Sequence, residues 1–132
     1  MINSIKFFLV LILTSSAFSQ DPESSYNKGT KLLDENQLLQ AEESFNKSLN
    51  IDPSFAPAIQ GLSKLYLHKG DLKKANEYAI KAVQADEDFR DWSGKISKIS
   101  EHIQNGNRNV QQGLYDDAIK EYDAILSSHP YF

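Results

Sequence analysis

The chain contains no cysteine, so no disulfide can staple it and no thiol is present to act as nucleophile or metal ligand. Its three histidines, His68, His102 and His129, are scattered without a second ligand at i+3 or i+4, which leaves a metal site without support. A long hydrophobic run is missing as well. The strongest, Phe7-Phe8-Leu9-Val10-Leu11-Ile12-Leu13, has seven residues, whereas a membrane helix needs about twenty. Positive charge is in deficit, with 14 basic against 18 acidic residues, and the basic ones alternate with acids on what read as solvated helix faces. A nucleic-acid surface needs clustered Lys and Arg, so no nucleic-acid partner is expected. There is no Gly-x-Ser-x-Gly elbow, no glycine-rich phosphate loop and no His-Glu-x-x-His. The paired carboxylates Glu42-Glu43 and Asp116-Asp117 stand at or near the starts of expected helices, where they complement the helix dipole. The reading is a non-enzyme with no cofactor and no metal.

What is present begins with an export signal. Lys6 precedes the apolar run, and Ala17-Phe18-Ser19 places small residues three and one before a cut at Gln20. Residues 1–19 are therefore expected to be a signal peptide; the alternative, an uncleaved anchor, is opposed by the shortness of the run. No cysteine lies at the cut to carry a lipid, so residues 20–132 are expected to be exported and soluble in a bacterial periplasm or cell envelope, with no stable membrane anchor. The segment 1–19 holds one basic residue and no acid, leaving a net charge of −5 on the remainder.

The rest of the chain is organised around Ala56–Phe89. Ile59, Leu62, Ser63 and Tyr66 recur at i, i+3, i+4 and i+7, a helical face. Gly70-Asp71 breaks it, with glycine suited to a left-handed cap and aspartate to capping the next helix. Leu72, Ala75, Ala79 and Ala82 then form a second stripe, mostly small, which lets two helix axes approach closely. The unit repeats. Ala41, Ala75 and Ala118 align at spacings of 34 and 43 residues. Twelve residues before them stand Gly29, Ser63 and Gly106; four after come Phe45, Ala79 and Tyr122; twelve after come Pro53, Glu87 and Pro130.

On these residues the chain resembles the tetratricopeptide repeat (TPR) family, most closely in Leu62, Ser63, Tyr66, Gly70, Asp71, Ala75 and Ala82 and in the pair Asp52-Pro53. Ser25, Lys28, Asn36 and Glu87 depart from the family pattern, although asparagine tolerates the left-handed turn. A Sel1-like or HEAT-like array is the alternative. The resemblance implies an all-α fold, a right-handed α-solenoid of three antiparallel helix-turn-helix repeats at about 22–55, 56–89 and 99–132, with a helical insertion at about 90–98. Trp92, Ile96, Ile99 and Ile103 at i, i+4, i+7 and i+11 make the insertion helical. Either the third unit's first helix is lengthened, or a short separate helix kinks near Gly94. Trp92 is expected to pack near Val83 and Phe89 or to anchor a partner.

By the family's geometry the first helices line a concave groove that holds a peptide or partner helix. The groove residues implied are Tyr26, Thr30, Leu33 and Asp34, then Gln60, Lys64, Leu67 and His68, then Ile103, Asn107, Val110 and Gln111. Family members that grip acidic tails use cationic and amide side chains at positions held here by Tyr26, Thr30, Gly61, Ser100 and Gln104, so that ligand class is not expected. The function expected is an interaction scaffold of the periplasm or envelope; the alternative is a targeting or regulatory module ahead of a separate effector domain. The apolar edge around Tyr122, Leu126, Tyr131 and Phe132 is expected to be covered by further chain, a second copy or a partner.

Overall fold

In the computed structural model, which describes residues 21–128, six helices follow one another. They are α1 (Pro22–Asp34), α2 (Leu38–Ile51), α3 (Ala56–His68), α4 (Leu72–Ala85), α5 (Arg90–Gln111) and α6 (Tyr115–Ser128), with a single 3-10 turn at Glu87–Phe89 before α5. The expected signal peptide, and Tyr131 and Phe132 of the expected apolar edge, lie outside the described residues. No helix among those described is long and apolar enough to cross a membrane.

Local chemistry explains why the helices pair. Each hairpin turn needs one residue in the left-handed region, and the three equivalent positions supply it: Asn36 at φ 58°, Gly70 at φ 74° and Gly113 at φ 76°. Asp71 caps α4 by accepting from the Lys74 amide at 3.1 Å, and Asp21 caps α1 by accepting from the Glu23 amide at 3.0 Å. Helices joined by such short turns pack antiparallel, and the pairs α1–α2, α3–α4 and α5–α6 are the main contacts of the fold. Successive hairpins then stack through α2 on α3 and α4 on α5, giving the α-solenoid that the repeat implied.

Within a hairpin the fit rests on small residues. A Cβ on Gly29 would stand 2.7 Å from the Phe45 ring, and one on Gly106 would stand 2.5 Å from the ring of Tyr122. In the middle hairpin Ser63 takes the glycine position and Ala79 the ring position; the Ser63 hydroxyl donates to the Ala75 carbonyl at 2.7 Å. Phe45 is also wedged against the next hairpin, since a Cβ on Gly61 would stand 2.6 Å from it. The core runs on through Leu33, Leu62, Leu65, Leu67, Ile96, Ile99 and Ile125.

A polar cluster ties the first two hairpins together at the surface. The carboxylate of Glu42 on α2 accepts from the Tyr66 hydroxyl on α3 and from the Lys69 ammonium beyond it. The Lys69 bond, and after it the Tyr66 bond, hold the Glu42 carboxyl below the usual carboxylate range, while the same bond pushes the Tyr66 phenol up. Tyr66 in turn stacks on Tyr78 of α4 at 5.4 Å between ring centres.

The lengthened third unit is one continuous helix. The 22 residues of α5 run unbroken through Gly94, where a Cβ would find nothing within 4 Å, so no separate helix forms there. Where the extra length goes differs from the register expected from the repeat. The loops entering α3 and α5 are equally long, residues 52–55 and 86–89, so α5 starts beside α4 as α3 starts beside α2. Ile80, Val83 and Gln84 of α4 line one cleft with Arg90, Ser93, Gly94 and Ser97, and Leu72, Lys73 and Asn76 line another with Ser100, Ile103 and Gln104. By Gln104 α5 has therefore reached the first turn of α4. Its last seven residues run past it by about 10 Å at 1.5 Å per residue, carrying α6 outward with them.

Two outcomes test this packing. Ala75 is fully buried where α3 and α4 approach, and Ala75→Leu overpacks that contact at a cost of about 1–3 kcal/mol, read as a lowered denaturation midpoint in urea. Glu42 has a folded-state pKa below its unfolded value of 4.5, so its contribution is present above that value and is lost as pH falls through the folded pKa. Thermal melts between pH 7 and pH 2 on Glu42→Gln are expected to lack that part of the acid destabilisation.

Candidate concave interface

The first helices α1, α3 and α5 contribute to one side of the solenoid, and the residues expected there fall into three groups. Asp34 of α1 lies close enough to Lys64 of α3 for its carboxylate to favour the charged lysine. Gln60 is half-buried and His68 exposed on the same helix as Lys64. In the second group, Leu33 and Leu67 are only 6% and 5% exposed and belong to the core, so they floor the concave side and offer little surface. Tyr26 packs its ring against Phe45 and Phe55, at 6.1 and 5.9 Å between centres, and the Thr30 hydroxyl donates to the Tyr26 carbonyl at 3.2 Å.

The third group lies further along α5, away from Asp34 and Lys64. Ile103 packs against the core, and the Asn107 carbonyl oxygen accepts from the Tyr122 hydroxyl at 2.8 Å, turned toward α6. Val110 and Gln111 are exposed near the far end of α5. The reason is the register of α5. Its first turns lie beside α3, so the residues that take part there are Trp92 and Lys95, which the repeat alignment assigned to an insertion. Equal loop lengths before α3 and α5 were the signal that could have found them.

Trp92 is fixed by α3. Its indole Nε1–H donates to the Ser63 hydroxyl at 2.8 Å, and that hydroxyl donates onward to Ala75, joining α5, α3 and α4 in one chain of bonds. The Lys64 ammonium sits over the indole ring, 5.4 Å from its centre. Burial pushes the Lys64 pKa down, the Asp34 carboxylate opposes that shift and the Lys95 charge adds to it. The arrangement is a half-buried cation held on an aromatic platform between one acid and one further cation. Such a group is costly to keep and is suited to pairing with an anionic or hydrogen-bonding ligand. No three His, Cys, Asp or Glu side chains among the described residues are grouped to hold a metal ion.

Trp92→Phe removes the donor and keeps the ring. An expected loss of about 0.5–1.5 kcal/mol in urea denaturation, with the helical circular dichroism signal retained, checks the bridge.

Comparison with known proteins agrees with the fold. The tetratricopeptide repeat model matches residues 32–99, from the end of α1 into α5. The chain is also 22% identical over 76 residues to DnaJ homolog subfamily C member 3 of Gallus gallus, a match covering 55% of this chain and 15% of that protein. The chain thus spans a small fraction of the length of the curated relative it matches. With paired helices, positive-φ turns at equivalent positions, small residues at the helix crossings and a family model over half its length, the chain belongs to the tetratricopeptide repeat family.

Proposed function

We propose that the chain is an exported, non-catalytic interaction scaffold of a bacterial envelope that holds a segment of another protein along its concave side. Protein binding is the general work of the family to which it belongs. The observation that carries the site is Lys64, half-buried on the Trp92 ring between Asp34 and Lys95. Its desolvation opposes folding, and a carboxylate from a bound segment would compensate it. The partner segment is therefore one that presents an acidic side chain opposite Lys64 and Lys95. Export rests on the signal-like segment 1–19, and the lack of a cysteine at the cut argues against a lipid anchor. A second reading, a binding module within a larger envelope protein, is favoured by the relative of which the matching segment forms only 15%.

Capture from an envelope extract compares the wild-type chain with Lys64→Glu and Lys64→Met. A groove ligand is expected to be lost at least tenfold on Lys64→Glu. Lys64→Met removes a charge whose folded pKa is depressed, so at neutral pH its melting temperature is expected to equal or exceed the wild-type value while capture still falls. Capture unchanged in both variants would remove the concave side from consideration. Fractionation of the host, with mass spectrometry of the recovered N-terminus, tests export through a chain beginning at Gln20.

A further inference from the structure

Four glycines lie inside helices, and three of them carry an aromatic ring. Gly29 and Gly61 lie under Phe45, and Gly106 lies under Tyr122, each with a ring atom within 2.7 Å of where a Cβ would be. Gly94 alone faces open space, with nothing within 4 Å. Glycine in a helix interior is destabilising relative to alanine, and no contact among the described residues accounts for it here. Beside it lies a cleft of about 310 Å³ between α4 and the start of α5, walled by Ile80, Val83, Arg90, Ser93 and Ser97. The register of α5 explains why the cleft is open. In the middle hairpin α4 runs the full length of α3, whereas α6 pairs with the later part of α5, as Glu121 on His102 at 2.7 Å and Tyr122 on Asn107 at 2.8 Å show. Among the described residues, no second helix pairs with the first two turns of α5.

Among the described residues, one ring lacks a seat. Tyr115, the first residue of α6, is 65% exposed and is the one exposed aromatic side chain among the described residues. Ile119 and Leu126 continue its row at i+4 and i+11, also exposed. The equivalents of Tyr115 in the other hairpins, Leu38 and Leu72, are half-buried and pack against the core. Charge is complementary too: α6 bears Asp116, Asp117, Glu121 and Asp123 against Lys120, while residues 90–98 bear Arg90, Lys95 and Lys98 against Asp91.

We propose that a second copy of this chain fills the cleft, its α6 lying across α4 and the start of α5 with the Tyr115 ring over Gly94 and between Ile80 and Val83. Among the described residues each copy offers one such ring and one socket, so a two-fold axis satisfies both at once and closes the assembly as a dimer. The surface is separate from the concave side and stands whether or not a partner binds there.

Sedimentation equilibrium of the protein in the form recovered from cells provides the test. The wild type is expected to dimerise in the micromolar range. Gly94→Gln blocks the socket and Tyr115→Ala removes the ring; each is expected to weaken dimerisation at least tenfold with helicity and melting temperature retained, since one position faces open space and the other is exposed. Tyr115→Phe, which keeps the ring, is expected to dimerise within threefold of wild type. An equal mixture of the two disruptive variants retains one intact ring and one intact socket, and is expected to associate more tightly than either variant alone. A monomeric wild type at high micromolar concentration, variants that associate as the wild type does, or a mixture no tighter than its components would each overturn the proposal.

Discussion

The approach of the two helices within a hairpin is the constraint on which the rest of this structure depends. It is set where a residue without a bulky side chain on the first helix lies under the second: Gly29 under Phe45 and Gly106 under Tyr122, with Ser63 at the equivalent position in the middle. A Cβ at either glycine would meet a ring at 2.5–2.7 Å, a separation at which backbone or ring has to move. Because Phe45 also lies on Gly61, the same ring sets the distance between the first hairpin and the second. Close packing of this kind leaves few voids and makes the relative position of neighbouring helices hard to change.

The concave side inherits its rigidity from that packing. Trp92 reaches across from α5 because Ser63, whose small side chain allows α3 and α4 to approach, also offers a hydroxyl to the indole. One buried serine thus serves hairpin closure and the positioning of the aromatic platform for Lys64. The polar surface near Glu42 acts on the other seam, joining α2 to α3 through Tyr66 and Lys69. Each inter-hairpin seam in the described residues therefore combines apolar packing with a directional bond. Apolar contact supplies burial, and the directional bond fixes orientation.

Lengthening α5 by nine residues has two opposite consequences. At its start it brings Trp92 and Lys95 beside Lys64, and it sets Ile103, Asn107, Val110 and Gln111 further along the helix axis. It also slides α6 along, so that among the described residues no helix covers the cleft lined by Gly94, Ile80 and Val83. A change that is modest for one helix alters both faces because a helix is rigid along its axis and each added residue advances it by about 1.5 Å.

The sequence by itself determined the helices, the turns and the period. The i, i+3, i+4, i+7 stripes, the positive-φ residues Asn36, Gly70 and Gly113, and the aligned Ala41, Ala75 and Ala118 are local or strictly periodic signals, and these survive translation into structure because they act within one helix or one turn. The 34-residue spacing of the first two hairpins also brings Asp34 near Lys64. Only the tertiary structure decided the register of α5. An alignment counts the extra residues before the third unit, but the helix is seated by its first turns against α3 and α4, because the loop leading into it is no longer than the one before α3. That choice turned Trp92 from an inserted residue into the bridge between three helices. It also left Gly94 facing space, a property that depends on which neighbour fails to reach it and that no spacing along the chain encodes.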